Sequence, residues 1–407
     1  MNLIIIDSCT NSCPYCFAEK EMSKHRANTM SIETFEKVLR KIRATPYPVS
    51  VNVLGGEPLL HPQLGKMIEQ LEVENNVSDY TILSGGVVKQ NSFDFFSPNS
   101  RKISFLFNVN QKKDYRTEQS YNLVHDNIGR LIDRGFKVSL GFNIYQMDFN
   151  AQEIIEYCTT YGVSALRLAV AKPTYGMENP NLLMPKQYRE LSPKVADLIE
   201  MASACNVKVN VDCMLPKCFF NDADLSRVIK AQPGVLDGVF GKCGIALDVT
   251  PQEDVFRCFA TEEMQKKKLD DFENFEEMTD FFTDLFDNSS KRPDIFSKCK
   301  DCKYAENQTC KGDCYANWKD LDVKESFSSM IENIYNWIEK KDFEKAYSHL
   351  KEIKQNVPAV SLLWAYYWLS CGDKVRARSY ARNVIILTND NELIDNAKSI
   401  LDFVSSN

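Results

Sequence analysis

The sequence predicts an α/β chain built as a partial barrel of six βα units, followed by a small cysteine-rich α+β domain and an all-α region. Three observations carry this. Short apolar runs alternate with segments of helical period through the first half. Most of the cysteines outside one N-terminal loop fall beyond Pro185, where that alternation fades. From about Lys324 onward, apolar residues recur at helical spacing to the end. A length of 407 residues accommodates two to three domains. With 44% hydrophobic and 26% charged residues, the chain has enough apolar surface to offset its ordering entropy, which excludes wholesale disorder.

The predicted strands run from Leu3 to Ile6, Ser50 to Leu54, Tyr80 to Leu83, Ile103 to Asn108, Lys137 to Asn143 and Ala165 to Val170, several of them rich in β-branched residues. Between the first two, Ile32, Phe35, Val38, Leu39 and Ile42 share a helical face; after the second, Leu64, Met67, Ile68 and Leu71 do the same. Right-handed βα repeats curl into a TIM-like partial (β/α)6 barrel over residues 1–184. The cysteine-rich domain is expected over 185–323, its order dependent on bound metal. The helical region, 324–407, places Phe327, Met330, Ile331, Ile334, Trp337 and Ile338 on one face, and Leu393, Ile394, Ala397, Ile400, Leu401 and Val404 on another. A faint repeat, KKDFEKAYSHL against CGDKVRARSYA, sets Ala346 and Ala377 31 residues apart. It resembles tetratricopeptide helix pairs, whose period is about 34 residues; a plain helical bundle is the alternative.

Forty-nine basic against fifty-six acidic side chains leave a net charge of −7, which argues against a nucleic-acid partner. The N-terminus has no basic leader and no stretch approaches the roughly 18 apolar residues of a membrane span, so no membrane partner and a cytoplasmic location are expected. In a reducing compartment fourteen cysteines point to metal or catalysis rather than disulfides. Cys158, Cys205 and Cys371 read as small buried hydrophobes, and none of His25, His61, His125 and His349 sits in a ligand pair.

Directly after the first strand, SCTNSCPYCF places Cys9, Cys13 and Cys16 in a C-x-x-x-C-x-x-C loop. Soft sulfur ligands at such intervals suit an iron–sulfur cluster or zinc. Three thiolates leave one iron of a cubane open, whereas structural zinc wants four closed ligands. The spacing, its place after strand one and Tyr15 before the last cysteine resemble the radical S-adenosylmethionine (SAM) superfamily. VNVLGGEP at the end of strand two resembles that family's GGE motif, here Gly55, Gly56, Glu57 and Pro58. The resemblance implies a 4Fe-4S cluster on the three cysteines and a turn that holds the amino group of SAM. It further implies a basic contact from Arg167 to the SAM carboxylate and ribose contacts among Ser84, Asn108 and Asn143, which end strands three to five. Many relatives have Asn-Gly after strand three; this chain has Ser84, Gly85 and Gly86.

Downstream, Cys243 and Cys258, then Cys299, Cys302, Cys310 and Cys314, resemble the SPASM auxiliary-cluster domain of radical SAM enzymes. The cysteines expected shortly before Cys243 and shortly after Cys314 are absent. The resemblance implies one or two auxiliary 4Fe-4S clusters, with Cys243, Cys258 and Cys314 sharing one and Cys299, Cys302 and Cys310 the other. Cys213 and Cys218 are the candidates to complete the first, Cys218 preferred as nearer in sequence. Read alone, the last four cysteines equally suit a zinc ribbon.

The function implied is reductive cleavage of SAM to a 5′-deoxyadenosyl radical that modifies a ribosomally made peptide or a protein side chain, by a thioether, ether or carbon–carbon crosslink or by dehydrogenation. An electron donor such as flavodoxin or ferredoxin is implied with it. With the first cluster cysteine at residue 9, no room is expected for an N-terminal peptide-recognition domain, so the C-terminal helices, with Trp337, Trp364, Tyr366 and Trp368, are the candidates to hold the peptide. The alternatives are a sulfatase-maturing, formylglycine-forming oxidation and a noncatalytic zinc and helical-repeat scaffold.

Overall fold

The computed structural model describes residues 1–16, 28–175, 179, 181–236, 240–287, 299, 302–307, 309–317, 331, 334–352, 357–388 and 390–406. The chain divides into two compact units, one of Met1–Phe282 with Arg292–Asp320, the other of Thr283–Lys291 with Leu321–Asn407.

Among the described residues, the first unit is organised on a ten-stranded sheet in the order β10-β9-β8-β1-β2-β3-β4-β5-β6-β7. Strands β1 (Asn2–Ile4), β2 (Val49–Leu54), β3 (Val77–Ser84), β4 (Ile103–Asn108), β5 (Val138–Ile144) and β6 (Ala165–Val170) are the six expected, in sequence order and all parallel. The α/β partial barrel is therefore as the periodicity predicted. The helices between them bury the predicted stripes. In α1 (Ile32–Arg43) Phe35, Val38, Leu39 and Ile42 are buried, and in α2 (Leu64–Val73) Leu64, Met67, Ile68 and Leu71. Polar caps fix where helices start: Ser31 Oγ accepts from Thr34 N at 3.0 Å to open α1, and Thr117 Oγ1 from Ser120 N at 3.0 Å to open α3 (Glu118–Asp133). Asn150 opens α4 (Ala151–Thr160) in the same way. Each such cap is worth about 1 kcal/mol.

The sheet extends beyond the six predicted strands at both edges. After α5 (Tyr188–Ala204), β7 (Lys208–Asp212) joins β6 in parallel and is followed by α6 (Asp222–Ala231), so the βα alternation continues where the apolar signal becomes short. At the other edge β8 (Asp248–Val249) pairs parallel to β1 and turns back into β9 (Asp254–Phe256) and β10 (Lys267–Lys268). Two-residue strands carry no readable period, which is why this stretch looked irregular in sequence.

In the second unit, α7 (Phe343–Glu352), α8 (Pro358–Ser370), α9 (Lys374–Leu387) and α10 (Asn391–Ser406) follow one another. Ala346 and Ala377, the repeat-related pair, are fully buried in α7 and α9. Ile334, Ile338, Leu350, Val360, Leu363 and Trp364 form one core, with Trp337, Tyr366 and Trp368 packed against it. Ala377, Ala381, Val384, Ala397, Ile400 and Val404 belong to another. Phe327 and Met330 lie outside the described residues. No helix among the described residues is long and apolar enough to cross a membrane. Cys158 is buried, but Cys205 and Cys371 are exposed, because each occupies the C-cap of a helix, α5 and α8, rather than its packed face.

Candidate functional site

The loop that leaves β1 is laced to the turn that ends β2. Gly56 N donates to Ile6 O at 2.7 Å and Glu57 N to Ser8 O at 2.8 Å. A Cβ on Gly55 would stand 2.3 Å from Ile6 O, and one on Gly56 2.1 Å from Ser8 O. The space that these two glycines leave is filled by the chain's own backbone leading into Cys9.

Glu57 is 1% exposed. Its carboxylate accepts from Ser84 Oγ at 2.9 Å on both oxygens, from Gly85 N at 3.0 Å and from Leu59 N at 3.3 Å. Burial pushes its pKa up to about 7 despite those donors. A Cβ on Gly85 would meet Asn11 Nδ2 at 3.3 Å and Glu57 Oε2 at 3.7 Å. Asn11 Nδ2 is buried with no hydrogen-bond partner. Among the described residues, a buried carboxylate that meets no cation and an amide donor without a partner therefore stand side by side, next to the cysteine loop. The sequence carried no signal for Asn11 beyond its place between two cysteines.

Within the loop, Asn11 N donates to Cys9 Sγ at 3.3 Å and Asn110 Nδ2 to Cys13 Sγ at 3.7 Å, while Cys16 N closes a turn on Cys13 O at 3.0 Å. Tyr15 is buried against Tyr145 and Ala171 beside Cys13, its hydroxyl donating to Asn110 Oδ1 at 2.7 Å. Burial raises the Cys9 thiol to about 11 and raises Cys13 as well. Bound metal reverses that preference, since a coordinated thiol is deprotonated outright. Among the described residues no three His, Cys, Asp or Glu side chains converge closely enough to hold a single ion. Three thiols sharing one turn, with amide donors already aimed at two of them, suit a multi-iron cluster, which bonds each sulfur to a different iron.

The remaining expected residues gather around Arg167. Its Nε donates to Asp212 Oδ2 at 2.7 Å, and its Nη1 to Asn143 Oδ1 at 3.3 Å and Asn108 Oδ1 at 3.4 Å. Gly141 leaves room for this group, since a Cβ there would lie 2.7 Å from Asn108 Oδ1. Desolvation opposes the Arg167 charge, but Asp212 overrides it and the guanidinium is held protonated. Ser84 thus belongs with Glu57, while Asn108, Asn143 and Arg167 form a second group. Asp212, at the end of β7, was not anticipated, because that strand was not.

The downstream cysteines also assemble. Arg257, next to Cys258, donates to Cys243 O at 2.8 Å and lies over the ring of Tyr315, the neighbour of Cys314. Cys302 N donates to Cys299 O at 3.3 Å, and Cys310 N to Tyr304 O at 2.9 Å, winding Cys299, Cys302 and Cys310 into one knot. A buried ion pair anchors this region to the barrel: Lys172 Nζ lies 2.6 Å from Asp313 Oδ1, the side chains 4% and 0% exposed. Tyr188 OH donates to Asp313 Oδ2 at 3.0 Å.

Comparison with known proteins bears out the superfamily resemblance. Residues 3–160 match the sequence family described as Radical SAM superfamily. The GTP 3′,8-cyclase of Staphylococcus epidermidis is 25% identical over 149 residues, 35% of this chain and 43% of that protein. That of Saccharophagus degradans is 24% identical over 163 residues, 39% of this chain and 49% of that protein. The chain thus spans less than half the length of these curated relatives. Streptococcus suis SuiB bound to the precursor peptide SuiA superposes with a TM-score of 0.54 at 16% identity, over 78% of this chain and 71% of that one. The enzyme anSMEcpe with bound AdoMet gives 0.55 at 15% identity, over 83% and 98%. At these identities the likeness to solved structures is one of fold.

Proposed function

We propose that this chain, whose residues 3–160 form a radical SAM domain, binds a 4Fe-4S cluster on Cys9, Cys13 and Cys16 and SAM beside it, and modifies a peptide or protein side chain. The observation that carries this reading is the buried carboxylate of Glu57 next to the cysteine loop, which meets no cation among the described residues. An ammonium group docked on Glu57 would offset the desolvation that now raises its pKa, so the site favours an amino-bearing ligand. Asn11 Nδ2 has a donor to offer the same ligand. In the second group, Arg167 is the cation available to a ligand carboxylate, with Asp212 holding its fork in place, and Asn108 and Asn143 present polar ends to a ribose. Ser84 orients Glu57 rather than reaching outward. When bound and reduced, the cluster supplies the electron that splits the sulfonium and frees the carbon radical that takes hydrogen from the substrate. The chain's own part is to seat the sulfonium compound, exclude water through the apolar packing of Tyr15, Tyr145 and Ala171, and hold its polar groups.

The same division of labour assigns residues 1–184 to SAM, 185–323 to auxiliary iron–sulfur chemistry and 324–407 to the substrate peptide. A peptide substrate is supported by the fold shared with SuiB, whose structure holds its precursor peptide. The similarity to the cyclases is confined to about a third of the chain and argues for the SAM domain, not for GTP. The test is anaerobic reconstitution followed by incubation with SAM, a strong reductant and flavodoxin or ferredoxin. Release of 5′-deoxyadenosine, abolished in Cys9→Ala, Cys13→Ala and Cys16→Ala, is the expected result; a reconstituted chain that binds no iron, or consumes no SAM, overturns the reading. A sulfatase-motif peptide in the same assay, inspected for the aldehyde mass, separates formylglycine formation from crosslinking.

A further inference from the structure

We infer that Cys213 and Cys218 complete two different auxiliary ligand sets, Cys213 joining Cys243, Cys258 and Cys314, and Cys218 joining Cys299, Cys302 and Cys310. The inference rests on the iron–sulfur reading above and assigns ligands that cysteine spacing could not. Each trio is one thiolate short of a fully ligated cubane. In sequence the two extra cysteines lie five residues apart and look like alternatives for one place; the fold sends them to opposite sets.

For Cys213 the route is the sheet. It follows Asp212, the last residue of β7, which pairs with Ala169 of β6. Three residues beyond Ala169, Lys172 grips Asp313, whose neighbour is Cys314. Strand register and a buried ion pair thus carry Cys213 and Cys314 to one rim of the barrel. The backbone at Cys213 is left-handed, with φ +62°, and its N–H is tied to the Asp212 carboxylate at 2.8 Å. A non-glycine residue in that conformation costs about 1–2 kcal/mol, which the fold sustains here to aim one side chain. The Arg257 guanidinium donates to Cys243 O at 2.8 Å and lies over the Tyr315 ring, binding the pieces that carry Cys243, Cys258 and Cys314.

For Cys218 the route is a stack of three backbones. Gly241 N donates to Leu215 O at 2.6 Å, and Lys311 N donates to Gly241 O at 2.8 Å. A Cβ on Gly241 would lie 2.9 Å from Cys310 Cα and 3.0 Å from Lys217 Cγ. Gly241 is therefore a spacer one backbone thick between Lys217 and Cys310, and the residue after Lys217 is Cys218.

The experiment uses the full chain, anaerobically reconstituted, as wild type and as Cys213→Ala, Cys218→Ala and the double variant. Cys205→Ala, at an exposed helix cap, is the control. Iron and sulfide per chain and the electron paramagnetic resonance spectrum of the reduced protein are recorded. Each single variant is expected to lose or alter a different auxiliary signal, the double variant both, and the control neither. If Cys213→Ala does not fold, Cys213→Ser, which keeps an oxygen ligand, must shift one auxiliary signal and spare the other. Wild-type auxiliary iron and spectra that survive unchanged in both single variants overturn the assignment. A wild type with no iron beyond the Cys9, Cys13 and Cys16 cluster overturns instead the auxiliary-cluster reading beneath it.

Discussion

Replacing Gly56 by alanine probes the contact on which the whole site is built. The added Cβ would fall 2.1 Å from Ser8 O, 2.4 Å from Ser8 C and 3.0 Å from Cys9 N. All three are backbone atoms, so no side chain can swing aside, and the segment entering Cys9 must retreat by about 1 Å or more to reach van der Waals distance. That retreat stretches two hydrogen bonds, Gly56 N to Ile6 O and Glu57 N to Ser8 O. Overpacking costs roughly 1–3 kcal/mol and each of the two lost bonds about 1 kcal/mol, so Gly56→Ala is expected to destabilise the first unit by about 3–5 kcal/mol. Chemical unfolding measures it, with Gly129→Ala as a control of opposite sign. Gly129 lies inside α3, where a Cβ finds Tyr161 at an ordinary 3.7 Å, and alanine there gains about 0.5–1 kcal/mol of helix propensity. A Gly56→Ala chain within about 0.5 kcal/mol of wild type, the spread of an ordinary surface substitution, would refute the argument.

Three further outcomes are expected. Because Glu57 holds its proton to about pH 7 in the fold but releases it near its ordinary value of 4.5 when unfolded, stability falls as pH rises through that window. Glu57→Gln should flatten this dependence and gain roughly 2–4 kcal/mol on wild type above pH 7, read from unfolding at pH 5 and pH 8. Lys172→Met strands the buried Asp313 carboxylate and should cost about 3–5 kcal/mol in urea unfolding, whereas Lys172→Met with Asp313→Leu should cost less; equal losses would contradict the buried-pair account. Removing the chain beyond Lys324 should weaken peptide binding, measured by titration, while leaving SAM cleavage uncoupled from peptide intact; unchanged affinity rejects a peptide-holding role for those helices.

Much of this protein was legible in the residues alone. The βα rhythm, the stripes of α1 and α2 and the three-cysteine loop are all local patterns, written within a few turns or strands of chain, where side-chain period follows directly from backbone geometry. The edge strands β7 to β10 were not legible, because segments of two to five residues are too short to show a period. The site followed the same line. Spacing nominated the cysteines, and the family resemblance nominated Glu57 and Arg167. It did not show that Ser84 turns inward to Glu57, that Asp212 holds Arg167, or that Asn11 is left with a free amide.

By itself the sequence determined which chemistry the chain offers, since thiol spacing and helical or strand period are properties of neighbours. Only the tertiary structure decided which distant groups meet. In the proposed assignment Cys213 and Cys218 part company because one leaves a strand whose register leads toward Cys314 and the other follows Lys217, which lies across Gly241 from Cys310. Such partnerships depend on sheet register, on missing Cβ atoms and on a buried ion pair that joins residues 141 positions apart. Those are consequences of three-dimensional packing, in which contact is set by space filled rather than by distance along the chain.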